Sequence, residues 1–293
     1  MEGDFFEMIY TVCIKTNNTK ILDYLLNSMQ EISLENTFIS RNTFKLYENV
    51  IFHYTGDNSR LFYSSLSKIL ANCIVNFYEA SLVRKIISSN YFYFSDSEKQ
   101  IIYKKCLLDL ATTESLIIKL DLISKAANEY FLTNTQMVLD GFVNFRLKEY
   151  INLLDTSVDL NVDNFLVERE YTEFVNLLKI YIDSKPSLKG LVHLIYAKGE
   201  AILLDENRKI IDTSSSILNA KYLSDITFSI NDYALNTLLT LLPKKIKVHL
   251  KCEKDEFINT IELIFGNRVS FCNSCSLCKE KYNKNLRKDL FYD

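Results

Sequence analysis

Lys245-Ile246-Lys247-Val248-His249-Leu250, then Asp255 to Phe265 with Gly266, then Arg268-Val269-Ser270-Phe271-Cys272, is the stretch on which the fold turns. The first and last segments alternate polar and apolar residues at period two, which predicts strands with one buried face. The middle segment reads as a helix, and Gly266 closes it at the C′ position. Strand, helix, strand with short links is a βαβ unit, so the two strands are expected to be parallel. Ile246, Val248 and Leu250 share one strand face, and Val269 and Phe271 share the other strand's equivalent. With those faces under the crossover helix, Lys245, Lys247 and His249 fall on the opposite side, together with Arg268, Ser270 and Cys272. His249 and Cys272 lie at the C-terminal ends of their strands, the edge where open α/β sheets place their ligands.

Working outward, Leu191–Lys198 and Glu200–Asp205 alternate as a hairpin around Lys198-Gly199. A short strand at 209–212, a serine-rich loop at 213–216, and a helix from Asn231 to Leu241, capped by Asp232 or Asn231, lead to Pro243. Upstream the period is helical. Gly56-Asp57-Asn58-Ser59 breaks the chain and caps a helix expected to reach Ser88, with Phe62, Leu66, Ile69, Leu70, Cys73 and Phe77 as its apolar stripe. Further helices are expected near 96–110, 113–130 and 134–154, and another after Asp163, ended by Pro186 and Gly190. Glu168, Glu170 and Glu173 then sit near that helix's start, where negative charge suits its dipole. Before all of these, residues 5–14 and 44–54 read as strands with a helix to about Met29 between them. The fold class is therefore α+β. A small N-terminal α/β element (1–57) and a helical middle (58–187) precede a C-terminal mixed β-sheet region (188–278), whose βαβ unit ends in a cysteine cluster. A basic tail follows (279–293).

The 293 residues are 48% hydrophobic and 24% charged, with a formal net charge of −3. That is globular composition and excludes disordered, collagen-like and disulfide-miniprotein classes. It also excludes a polycation built to coat nucleic acid. No apolar run approaches the roughly 18 residues needed to span a membrane, and Met1-Glu2-Gly3-Asp4 lacks the base of a signal peptide. The chain is expected to be cytoplasmic, with its cysteines as thiols or metal ligands. Cys73 and Cys106, on apolar helix faces, read as packing.

Cys272-x-x-Cys275-x-x-Cys278 is the sharpest chemical feature. Two intervening residues let both sulfurs of a pair reach one metal. His249 or Cys252 is the candidate fourth ligand. The metal would be zinc or, with a cysteine missing, an iron–sulfur cluster. A redox thiol pair and three plain surface thiols fit the same spacing. Lys245, Lys247 and Arg268 form a candidate basic surface, extended by Lys279, Lys281, Lys284, Arg287 and Lys288 in the tail. A solvated sheet face is the simpler reading, so nucleic acid is not the expected partner. Other enzyme signatures are missing: no glycine-rich phosphate loop, no Gly-x-Ser-x-Gly, no His-Glu-x-x-His. Ser65-Leu66-Ser67-Lys68 matches Ser-x-x-Lys but sits inside an amphipathic helix without companion motifs. His193 shares a strand face with Leu191 and Ile195 and reads as a core histidine.

In this order, NFLVEREYTEFVNLL (164–178), LVHL (191–194), LPKKIKVH (242–249) and TIELIFGNRVSFCNSCSLC (260–278) resemble the YtxC-like family, sporulation proteins of spore-forming Firmicutes. The resemblance covers about residues 160–278. It carries over to Glu168, Glu170, Tyr171, Glu173, His193, Lys244, His249, Arg268, Cys272, Cys275 and Cys278. Where the family shows Gly before the middle cysteine, this chain has Ser274. Cys252 is outside the family pattern, so the resemblance favours His249 as fourth ligand. It implies a role in endospore formation, with another sporulation protein as the partner, and brings no activity with it. The leading expectation is a cytosolic, non-enzymatic sporulation-associated protein whose cysteine cluster holds a metal. The rivals are a metal- or thiol-dependent enzyme at the His249/Cys272–Cys278 edge and an interaction module using the basic face.

Overall fold

A computed structural model describes residues 9–32, 35–43, 47–212, 229–251, 253–272 and 274–279. The serine-rich loop at 213–216, Cys252, the side chain of Lys279 and the tail beyond it lie outside the described residues, as does the start of the first expected strand. The fold is α+β, with helices and two mixed four-stranded sheets. Its two compact units are Met1–Val167 and Glu168–Asp293.

In the first unit β1 (Tyr10–Thr16) is followed by α1 (Thr19–Ile32), β2 (Thr37–Thr43), β3 (Glu48–Tyr54) and, much later, β4 (Gln136–Val138). The sheet order is β2-β3-β1-β4, antiparallel except for the β1–β4 pair. Val12, Ile14, Val50 and Phe52 are fully buried in it. Neither β2 nor β4 was legible. The first is a largely exposed edge with weak alternation, and the second is three residues long. Both are strands because of their neighbours' hydrogen bonds.

The helices are α2 (Ser59–Phe77), α3 (Glu79–Asn90), α4 (Asp96–Leu110), α5 (Thr113–Phe131) and α6 (Leu139–Arg146), with α7 (Lys148–Ser184) continuing into the second unit. Asn58 caps α2 by accepting from Leu61 N at 3.0 Å, and Ser95 and Glu98 form a reciprocal capping box on α4. The helix expected to reach Ser88 is broken at Tyr78, whose hydroxyl donates to Asp140 at 2.7 Å. Cys73 and Cys106 are fully buried among core residues. Lys119, 1% exposed, donates to Glu79 at 2.7 Å and to the Leu110 carbonyl at 2.8 Å, while Tyr150 donates to the same carboxylate at 3.0 Å. Such a pair tolerates loss of neither partner, because a lone buried charge costs about 3–5 kcal/mol.

Asp163 does not start a helix. α7 runs through it without interruption, because Leu154, Val158, Val162 and Phe165 stay buried at helical spacing and no Gly or Pro intervenes. Glu168, Glu170 and Glu173 are therefore mid-helix, exposed, and beyond the reach of the N-terminal dipole.

The second unit contains β5 (Lys189–Ala197), β6 (Glu200–Leu204), α8 (Ile230–Leu241), β7 (Pro243–Leu250), α9 (Glu256–Phe265), β8 (Val269–Phe271) and α10 (Ser276–Lys279). The sheet order is β6-β5-β7-β8. β5 and β6 form the expected hairpin, and Lys198 and Gly199 both take positive φ (+55° and +80°), as a type I′ turn requires. The βαβ unit is present, with β7 and β8 parallel and Ile246 beside Val269. One apolar core joins Val192, Leu194 and Tyr196 of β5 to Ile246 and Val248 of β7, Ala234 and Leu238 of α8, and Ile258 and Ile261 of α9. The cap of α8 is Ser229, with Asp232 reaching back to its N–H at 2.7 Å. Asn231 instead ties the helix start to the hairpin, accepting from Ala201 N and donating to the Gly199 carbonyl.

Candidate metal centre

The β7–β8 register sets the site. Val248 lies beside Phe271, and the pairing continues one step further, with Cys272 N donating to the Val248 carbonyl at 2.8 Å. That bond puts Cys272 next to His249 on the sheet face away from the helices. The chain then turns back. Cys278 N donates to the Cys275 carbonyl at 3.1 Å, and the short α10 brings the third sulfur over the same point. Arg208 donates to Ser276 Oγ at 3.2 Å, bracing this loop against the turn after β6.

The outcome is a compact four-residue cluster. His249 Nδ1 lies 3.3 Å from Cys275 Sγ and 3.4 Å from Cys278 Sγ, and those sulfurs are 3.7 Å apart. One ligand atom from each of His249, Cys272, Cys275 and Cys278 falls within 4.8 Å of every other. His249 is 1% exposed and the cysteines are half-buried. This cluster could hold a metal ion.

Electrostatics prepare the donors. Burial, then the neighbouring His193, Lys247, Arg208 and Lys251, push His249 down to about 4, so its imidazole is neutral at pH 7, as a ligand must be. Burial opposes ionisation of Cys275, yet the N–H groups of Cys278 and Leu277 and the adjacent thiols outweigh it, and its pKa falls. Cys272 moves the other way, raised by burial and by its hydrogen bonds to Cys275 and Cys278.

The other singled-out residues separate. Lys245 is exposed and Lys247 half-buried, each aligned with a β5 residue: Leu191 and His193. Arg268 is engaged by groups of its own. Its guanidinium donates to the carbonyls of Ile182 and Pro243 and to Ser187, and pairs with Asp183 at 3.6 Å, clamping the end of α7. His53 stands apart on β3, 3.1 Å from Thr11. Glu173 pairs only loosely with Arg169, at 3.8 Å.

His193 is the residue whose role sequence reasoning missed. Its Nδ1 is 2.9 Å from His249 Nε2. Its alternation parity was readable, but which strand would lie beside β5 was not. Burial and the nearby Arg208 and Lys247 lower its pKa, against Asp205.

Comparison with known proteins gives two findings. The model of the YtxC-like family matches residues 64–270, reaching much further upstream than residue 160 and ending just before Cys272, Cys275 and Cys278. The uncharacterized protein YtxC of Bacillus subtilis (strain 168) is 22% identical over 163 residues, 55% of this chain and 55% of the relative's, so the match spans about half of that protein's length. No solved structure matches.

Proposed function

The chain belongs to the YtxC-like family, and from that premise we propose that it is a cytosolic, non-enzymatic sporulation protein whose C-terminal unit is held together by a zinc ion bound to His249, Cys272, Cys275 and Cys278. The geometry of the four ligand atoms carries the zinc reading. A tetrahedral zinc with bonds of about 2.3 Å to sulfur and 2.0–2.1 Å to nitrogen needs edges of about 3.8 Å between sulfurs and about 3.6 Å between sulfur and nitrogen. The edges among His249, Cys275 and Cys278, at 3.7, 3.3 and 3.4 Å, lie close to those values, and Cys272 Sγ is within 4.8 Å of all three. A multi-iron cluster spreads its ligands over two or more irons, whereas these four atoms converge within 4.8 Å. A disulfide would need about 2.05 Å.

Four protein ligands fill a tetrahedral zinc and leave no position for substrate or water, which supports a structural role over an enzymatic one. The sporulation role rests on the family resemblance of residues 160–278.

Metal analysis of the full-length, untagged protein tests the site. One zinc per chain is expected, and a variant with Cys272→Ser, Cys275→Ser and Cys278→Ser together is expected to carry none. Wild-type protein without stoichiometric metal after both aerobic and anaerobic purification would overturn the reading. Spore counts after deletion of the gene in its spore-forming host test the role: undiminished sporulation refutes it.

A further inference from the structure

We infer that His193 is the positioning residue of the zinc centre: by accepting a hydrogen bond from the His249 Nε2–H on its own Nδ1, it fixes the tautomer that presents His249 Nδ1 to the metal. The inference rests on the zinc reading and adds to it the group that orients the one nitrogen ligand.

The steps are proton counting on observed atoms. His249 turns Nδ1 toward the sulfurs of Cys275 and Cys278, so Nδ1 is the nitrogen that must offer a lone pair. A neutral imidazole keeps one N–H, which then has to sit on Nε2. His249 is 1% exposed, so that N–H depends on a protein acceptor. The one it meets is His193 Nδ1, at 2.9 Å. His193 must in turn leave Nδ1 bare and carry its own proton on Nε2. The reverse arrangement, with His193 donating, would put the His249 proton on Nδ1, aimed at the sulfurs and blocking the metal bond.

Backbone register makes the contact dependable. His193 aligns with Lys247 and Ile195 with His249 across the parallel β5–β7 pair, so His193 and His249 share a sheet face one step apart. The rings lie 5.2 Å apart, tilted by 34°. Metal-bound histidines are ordinarily oriented by a carboxylate, a backbone carbonyl or water on the distal nitrogen. A neutral imidazole does this here, and adds no negative charge to a site that three thiolates already leave at −1 with zinc bound.

The test uses the full-length chain and zinc itself. His193→Leu removes the acceptor, and His193→Asn restores one near the position of Nδ1. Competition with a chelator should show zinc held about 10–100-fold more weakly by His193→Leu and within a few-fold of wild type by His193→Asn. Nitrogen-15 NMR of histidine-labelled, zinc-loaded wild type should show His249 with a metal-bound Nδ1 and a protonated Nε2, and His193 protonated on Nε2. That measurement needs no variant, so a folding defect in His193→Leu cannot obscure it. Coordination through His249 Nε2, or undiminished affinity in His193→Leu, overturns the assignment and leaves the zinc reading standing. Wild-type protein that binds no zinc overturns both.

Discussion

Cys73 and Cys106 show how one residue type acquires two chemistries in a single chain. Burial pushes Cys73 up to about 12 and Cys106 up to about 11, from an ordinary value near 9.0. The half-buried Cys275 moves below that value. Both core groups have folded pKa values above their unfolded ones. Their contribution to stability is therefore complete below about pH 9 and is lost as pH rises toward 11–12, because the unfolded thiol ionises first. The urea midpoint of the first unit is expected to fall between pH 9 and 11. A Cys73→Ala/Cys106→Ala variant, weaker at neutral pH, should lose much of that slope; an equally steep slope in the variant would show that other groups set it. The packing role of both cysteines was legible because each falls on an apolar helix face. The role of His193 was not, since its partner lies 56 positions away on a neighbouring strand.

Among the elements, the β5–β6 hairpin was readable from alternation around Lys198-Gly199, and its turn is where local chemistry is most constrained. Gly199 has φ +80° with no atom within 4 Å of an added Cβ. Gly199→Ala therefore brings no clash, only the cost of a left-handed L-residue, about 1–2 kcal/mol. Denaturant unfolding monitored on the second unit should register that loss, and Gly199→Asn should recover part of it because Asn tolerates this conformation. A neutral Gly199→Ala would show that the turn relaxes to another type. α7 taught the opposite lesson. Asp163 has the chemistry of a cap, but capping residues act only where the chain has a reason to begin a helix, and buried Val158, Val162 and Phe165 carry the helix past it. β2 and β4 were unreadable for a related reason, since a short or exposed strand is stabilised by pairing with β3 or β1 rather than by its own pattern.

At the scale of the molecule, each unit has its own core, and the His249/Cys272/Cys275/Cys278 cluster belongs wholly to the second. Chelation of zinc should therefore raise amide hydrogen exchange around β7, β8 and α10 and leave β1, β3 and α2 unchanged. Equal loss of protection in both units would refute a local structural role. None of the described helices is long and apolar enough to cross a membrane. By itself the sequence determined what depends on periodicity and spacing: the α+β class, the parallel strands flanking α9, the facing of His249 and Cys272, and the two-residue gaps that let cysteines converge. Those features follow from the side-chain periods of strand and helix, which are local. The tertiary structure alone decided that β5 lies beside β7, which brings His193 to His249, and that Arg268 clamps the end of α7. It also decided that α10 folds the third sulfur back onto the cluster. Each of these needs residues distant in the chain to meet, and that is settled by burial of a shared core rather than by any local pattern.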